Sequence, residues 1–403
     1  MNTTTVSLAL PAGLPHAARQ LLNLLARLRV GTLDLQTPDG RMLRFGQGDA
    51  PRAALHVSDW GWCAEVLRSG DVGLGEAYIL GRWHSPDLPA LLRLCLANRE
   101  ALESAVYGKV WGRWFYRLRH LWRRNSRSGS RRNILAHYDL GNDFYRLWLD
   151  GSMNYSSAWF EGQFEQSLAV AQRAKMKRAL DELGVTPGGR VLEIGCGWGA
   201  MAEYAARRDV QLTGVTLSPA QLAWAQERLA CQGLSDRATL RLQDYRDIDD
   251  GPYDGVVSIE MFEAVGEAYW PQFFDTLRRQ LRPGGRACVQ SITIRDDLFP
   301  RYRSGTDFIQ QYVFPGGLLP SPAVFRAAAE RAGLRVVREL AFGPDYAETL
   351  RRWRHAFIRQ EPAVRAQGFG PEFLRLWEFY LAYCEAAFDA GTTDVMQFTL
   401  VRD

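Results

Sequence analysis

The stretch Val191–Gly199, reading VLEIGCGWG, places an acid, Glu193, at the end of an apolar run and follows it with glycines at 195, 197 and 199. Glycine tolerates positive φ and lets a backbone pass close to a ligand. A turn of this kind after a first strand is where a doubly wound sheet holds a nucleotide-like ligand. Spacing excludes two such ligands. A nicotinamide dinucleotide fingerprint wants Gly-x-Gly-x-x-Gly with an acid about 20 residues on. Here the third glycine comes one residue early, and the next strand, Gln211–Leu217, ends in Thr216, Leu217 and Ser218 with no carboxylate. A P-loop needs a Lys-Ser/Thr pair, which this turn lacks.

A nucleotide-like ligand without phosphates remains, and S-adenosyl-L-methionine is that ligand. Its charged amino-acid end can use Glu193 and glycine backbone groups. Ligands of parallel sheets sit at the carboxyl ends of strands, where Glu193, Thr216 and Asp244 fall. Asp244 suits the adenine amino group, or serves as a turn or helix-cap acid.

The elements that must position these groups follow from strand-like and helical segments in alternation. The strands are Arg190–Ile194, Gln211–Leu217, Thr239–Gln243, Tyr253–Ile259, Arg286–Ile294 (after the turn LRPGG), Arg335–Leu340 and Phe398–Val401. Helices are expected over Glu165–Leu183, Gly199–Arg208, Pro219–Gln232, Tyr269–Leu281 and Pro322–Ala332. This pattern predicts an α/β fold, a Rossmann-like sheet with helices on both faces. Ahead of it, a helix over Ala17–Val30, a hairpin over Gly31–Phe45 turning at TPDG, and helices over Val57–Arg68 and Leu88–Asn98 predict a smaller α+β domain. The expected division is an N-terminal domain over 1–105, a linker over 106–132 and a catalytic domain over 133–403.

The linker is distinctive. Lys109–Arg132 holds nine Lys and Arg and no acid, interleaved with Trp111, Trp114, Phe115, Tyr116 and Trp122. Basic side chains beside Trp and Tyr suit an anionic membrane surface; the alternative is a solvated connector. A net charge of +4 over 403 residues implies no basic field for nucleic acid. The six cysteines are scattered with no CxxC pair, which favours a reducing, cytoplasmic setting and no metal site. No secretory signal and no apolar run near the roughly 18 residues of a membrane span are visible.

A set of motifs in fixed order adds a family. HYDLGND (His137–Asp143), MNYSSAWF (Met153–Phe160), VLEIGCGWG, TLSPAQ (Thr216–Gln221), IEMFEAVG (Ile259–Gly266) and FPGGLLPS (Phe314–Ser321) together resemble the cyclopropane-fatty-acyl-phospholipid synthase family and its mycolic acid methyltransferase relatives, class I S-adenosylmethionine-dependent methyltransferases. Gly73–Trp83 looks like part of the N-terminal domain of bacterial members. The resemblance covers nearly the whole chain. It implies alkylation of the double bond of an unsaturated acyl chain, usually on a membrane phospholipid. It also implies an enzyme peripheral on the inner membrane face, with a homodimer as one arrangement it allows.

The resemblance implies roles for residues as well. Tyr155, Ser156, Gly195, Cys196, Gly197, Thr216, Leu217, Ser218, Gln221, Tyr245 and Arg246 are expected at the cofactor, with Glu193, Gly199 and Asp244 beside them. The base in this family is thought to be a bound bicarbonate, held by a glutamate, a histidine, a backbone near an isoleucine and a tyrosine. Those positions fall on Glu263, Gln290, Ile292 and Tyr346, and Cys384 falls on a cysteine once assigned to the active site. Packing as a small apolar residue is the alternative for Cys384. Three departures stand out: Gln290 for the histidine, Ser157 for a cysteine and Ala264 for a histidine. Glutamine can hydrogen-bond an anion but carries no titratable proton. The departures predict altered base machinery and a methyl-branched or methylene-bearing product in place of a cyclopropane. His137 can be a base or a structural residue, and Trp159 and Trp198 can wall the site or pack in the core. Glu260 is an extra acid near Glu263; the two share a face only if their segment is helical. A C-methyltransferase of a soluble small molecule and a non-catalytic lipid-binding relative are the rival readings.

Overall fold

The computed structural model describes residues 13–48, 50–106 and 140–403. The basic-aromatic stretch Lys109–Arg132 and His137 lie outside the described residues. The described chain forms two compact units.

In the first unit, strands β1 (Thr32–Gln36), β2 (Met42–Phe45), β3 (Arg52–Val57) and β4 (Trp83–His84) form a sheet in the order β2-β1-β3-β4. The hairpin expected at TPDG is β1 and β2, paired antiparallel from Leu33↔Phe45 to Gln36↔Met42. Two expected helices are shorter than their periodicity suggested. His16–Leu25 stops short of Val30, and Gly61–Ser69 begins after Val57, which closes β3 instead. The helix Leu88–Ala97 is capped by Asp87, whose Oδ1 accepts from the Ala90 amide at 3.0 Å.

The expected continuous domain over 133–403 needs a correction: Phe369–Ala390 belongs to the first unit. Its helix, Pro371–Asp389, lays Phe379 against Tyr78 (ring centroids 5.6 Å apart) and Trp83 (6.4 Å). Tyr383 donates to Asp71 Oδ2 at 2.8 Å, and Arg93 reaches Asp389 at 2.6 Å. A helix goes where its aromatic face is buried, and sequence order does not say where that is. Cys384 is carried on this helix and so belongs to the first unit.

The second unit is a seven-stranded sheet. Its strands are β5 (Arg190–Ile194), β6 (Gln211–Thr216), β7 (Ala238–Leu242), β8 (Tyr253–Ile259), β9 (Leu281–Ile294), β10 (Leu334–Ala341) and β11 (Thr393–Arg402), in the order β10-β11-β9-β8-β5-β6-β7. Strands β5 to β9 run parallel, and β11 is antiparallel to both its neighbours. The seven expected strands are all present. β9 takes in the LRPGG turn, and β11 is ten residues long where the sequence marked only Phe398–Val401.

Side chains alternate across β5. Leu192 and Ile194 enter one core layer with Phe262, Phe273, Phe274, Phe325 and Phe398, where the Phe325 and Phe398 rings stack at 4.0 Å. Val191 enters the other layer, under the helix Leu168–Leu183. Glu193 shares the face of Val191 because successive residues of a strand point to opposite sides. The order reverses at β5, whose neighbours are β6 and β8, and this switch point opens a crevice at the carboxyl ends of the strands.

Candidate active site

The crevice is a cleft lined at its base by Glu193–Trp198, on one side by Val215–Leu217, Gln221 and Gln243–Arg246, and on the other by Met153–Ser156, Ile259–Met261, Ala264 and Val265. Gly197, at φ +50°, shows why the turn needs glycine. Its backbone is left-handed, and nothing stands within 4 Å of where a Cβ would project. Twelve of the fourteen expected cofactor residues line the cleft. The other two stand behind it. A Cβ on Gly199 would meet Ala225 Cβ at 2.8 Å, so this glycine allows helix packing. Ser218 Oγ accepts from the Gln221 amide and caps the helix Pro219–Cys231.

Several lining groups are fixed by bonds of their own. Asp244 holds Arg246 through two charge-assisted hydrogen bonds, 2.8 and 2.5 Å, and accepts from the Arg246 amide. Thr216 Oγ1 donates to Gln221 Oε1 at 3.1 Å. Burial raises the Cys196 thiol well above its ordinary range, which leaves it neutral. Tyr155 and Trp198 join Tyr145, Trp148 and Trp353 in an aromatic cluster with ring centroids 5.1–5.7 Å apart. Asn142 Oδ1 receives the Trp198 indole N–H at 2.8 Å and holds that ring. Trp159 is not among the lining residues; the Arg178 guanidinium lies 5.9 Å from its ring centroid.

Glu193 Oε2 is buried without a hydrogen-bond partner among the described residues. Burial raises its carboxyl to about 8, against the pull of Lys175. Lys175 is itself fully buried on the helix Leu168–Leu183, and its Nζ donates to Ser156 Oγ at 2.6 Å. Burial lowers this ammonium to about 8, while Glu260, Asp150 and Glu193 pull it back up. The sequence reading missed Lys175. Its signal was a lysine at an apolar position of an amphipathic helix.

The expected base machinery is differently built. Of Glu263, Gln290, Tyr346 and Cys384, none lines the cleft; Glu260 does. Glu260 Oε1 accepts from the Ser157 amide at 2.8 Å and from Gln290 Nε2 at 2.7 Å, and its Oε2 accepts from the Tyr346 hydroxyl at 2.7 Å. The Ile292 amide donates to Glu263 Oε1. Three of the four groups expected to hold bicarbonate therefore serve a protein carboxylate: Gln290 and Tyr346 bind Glu260, and Ile292 binds Glu263, whose own Oε2 is buried without a partner among the described residues. The donors Gln290, Tyr346 and the Ile292 amide are thus already engaged, and a bicarbonate placed among them would have to displace a protein carboxylate. Glu260 and Glu263 do not share a helical face. Glu260 precedes a short 3-10 turn, Phe262–Ala264, and has φ +50°. Burial, and then the neighbouring Glu260 charge, raise the Glu263 carboxyl to about 8.

This architecture and cleft define a class I S-adenosylmethionine-dependent methyltransferase. The profile of the mycolic acid cyclopropane synthetase family matches residues 125–398. The chain is 39% identical over 403 residues to the tuberculostearic acid methyltransferase UfaA1 of Mycobacterium tuberculosis, covering 97% of this chain and 93% of that protein. It is 36% identical over 365 residues to the cyclopropane-fatty-acyl-phospholipid synthase of Escherichia coli, covering 88% and 89%. The crystal structure of the mycolic acid cyclopropane synthase CmaA1 with SAH and CTAB superposes with a TM-score of 0.63 at 34% identity, over 67% of this chain and 98% of that one. The chain belongs to the mycolic acid cyclopropane synthetase family and is a methyltransferase that uses S-adenosyl-L-methionine.

Proposed function

We propose that this enzyme transfers the methyl group of S-adenosylmethionine to the double bond of an unsaturated acyl chain carried on a membrane phospholipid. The product is a chain bearing a methylene group or a methyl-branched double bond, not a cyclopropane. The observation that carries the reading is the lining of the cleft, which joins polar groups at Glu193, Thr216, Gln221 and Asp244 with the aromatic residues Tyr155, Trp198, Tyr245 and Tyr269. An isolated alkene is a weak nucleophile, so holding it against the sulfonium methyl supplies much of the rate. When the carbon–carbon bond forms, the carbon–sulfur electron pair stays on sulfur and the neighbouring acyl carbon becomes cationic. Aromatic faces in a dry site stabilise such a cation. Loss of one proton then completes the product, with no oxidant or reductant needed.

In this reading Glu193 pairs with the cofactor's amino-acid end, Thr216 and Gln221 with its ribose and Asp244 with its adenine. The stretch Lys109–Arg132 brings the enzyme to the anionic inner face of the membrane. Among the described residues no helix is long and apolar enough to cross one. The named relatives divide between a methyltransferase and a cyclopropane synthase, and the departures at Gln290, Ser157 and Ala264 favour the methyl or methylene outcome. The test is incubation with oleoyl phospholipid vesicles and methyl-labelled cofactor, with acyl products read by mass spectrometry and proton NMR. Vinylic methylene or branch-methyl signals are expected. Cyclopropane signals as the main product refute the product assignment, and turnover that needs no lipid refutes the substrate.

A further inference from the structure

We propose that the Glu260 carboxylate is the base of this enzyme, a built-in group that does the work expected of bicarbonate; the inference rests on the acyl-chain reaction proposed above. Four observations converge on it. Glu260 is half-buried and lines the same cleft as Glu193 and Gly195. Three donors from three separate segments orient it: the Ser157 amide, the Gln290 amide nitrogen and the Tyr346 hydroxyl. Its backbone is left-handed, φ +50°, a conformation that costs a non-glycine residue free energy and that clusters at functional sites. Finally, Gln290 is itself pinned. Gln290 Oε1 accepts from Gln397 Nε2 at 2.9 Å, and Gln397 Oε1 accepts from Arg178 at 2.5 Å. The relay leaves the Gln290 side chain only its N–H to offer Glu260. Gln290, a departure from the family pattern, thus contacts this carboxylate through its side chain.

The proton balance is simple. The cationic acyl intermediate loses a proton to a Glu260 oxygen, and the C–H electron pair becomes the carbon–carbon double bond of the product. The neutral carboxyl then releases the proton to solvent once the product leaves. The charged and titratable groups around Glu260 are Lys175 on the helix Leu168–Leu183, Tyr346 on the helix Gly343–Arg359 and Glu263 on the turn that follows. Burial raises its carboxyl, while Tyr346, Lys175, Ser157 and Gln290 pull it back. A base is most effective with its pKa drawn toward the working pH.

Glu260→Gln and Glu260→Gly test this with the full-length protein. Both variants are expected to bind S-adenosylhomocysteine within about threefold of wild type by calorimetry, which also reports folding. Acyl alkylation by Glu260→Gln should fall about 10²–10⁴-fold, the usual worth of a general base, and lose the acidic limb of its pH profile. Wild-type turnover should be indifferent to removal or addition of bicarbonate. Glu260→Gly opens space among donors of an anion, and bicarbonate should restore part of its activity. Wild-type-like turnover by Glu260→Gln, or a wild-type rate that follows bicarbonate concentration, overturns the assignment while leaving the acyl-chain reading intact. Wild-type protein that binds the cofactor product but alkylates no acyl chain brings down the functional reading and this one together.

Discussion

Two halves of one cleft are built on different principles. The cofactor half is backbone and aromatic surface: a glycine turn, strand ends and rings held by single hydrogen bonds such as Asn142 to Trp198. Its carboxylate, Glu193, keeps a buried oxygen without a partner among the described residues, as a site awaiting a cation would. The proton half is the opposite. Glu260 has its carboxylate oxygens supplied with donors, and the donors have partners of their own as far as Arg178. In one half the lining carboxylate keeps an oxygen for a ligand; in the other the lining carboxylate, Glu260, already has protein donors on both oxygens. Preorganised polar groups do most when they need not reorganise during the reaction.

The sharpest way to break this contrast after the Glu260 variants is Glu263→Gln. It should cut acyl turnover less than Glu260→Gln does, by changing the charge beside the base, and leave cofactor affinity nearly unchanged, since Glu263 contacts Ile292 and not the cleft. Unaltered turnover would remove Glu263 from the proton half. A pH series of cofactor binding sharpens the other side. Burial favours the neutral form of the Glu193 carboxyl and raises it to about 8. A cationic ligand favours the carboxylate, so binding below pH 8 must release a proton. Affinity should therefore weaken as pH falls from 8 to 6, toward about tenfold per unit at the limit. Calorimetry in buffers of different ionisation enthalpy measures the proton, and Glu193→Gln should abolish its release.

Tyr346→Phe is expected to act more gently. It removes one donor from Glu260, at about 1–3 kcal/mol for a hydrogen bond to a charged group. Because that bond lowers the Glu260 carboxyl, its loss should move the acidic limb of the rate profile to higher pH. An unmoved limb would mean that the Tyr346 contact is packing alone. Smallest of all, Ser218→Ala should lower stability by about 1 kcal/mol as a lost helix cap, visible in thermal melts, and leave turnover close to wild type.

The cofactor half was largely legible in the sequence, because strand-end glycines and acids act through local backbone geometry. Glu193, Gly195, Gly197, Thr216 and Asp244 stand in the cleft as the spacing suggested. Gly199 and Ser218 were misjudged only by one step, serving the helices that frame the site. The proton half was far less legible. Glu260 stood in the sequence as an extra acid beside Glu263, with nothing local to say which of the two faces the cleft. Gln397 fell just outside the strand marked at Phe398–Val401, yet it is the register partner of Gln290 in the β9–β11 ladder. The helix Pro371–Asp389 shows the same limit at a larger scale, since its neighbours in the chain are not its neighbours in the fold.

The order of the motifs by itself determined the sheet, the cofactor and the family. These depend on short segments whose periodicity and glycines act over a few residues. Tertiary structure alone decided which carboxylate the departure at Gln290 serves. Ser157, Glu260, Gln290 and Tyr346 are spread over 190 residues of sequence, and only the pairing of β8, β9 and β11 with the packing of the helix Gly343–Arg359 brings their polar atoms within hydrogen-bond reach. Hydrogen bonds are decided by distances in space, and chain spacing carries no record of them once the partners lie on different elements.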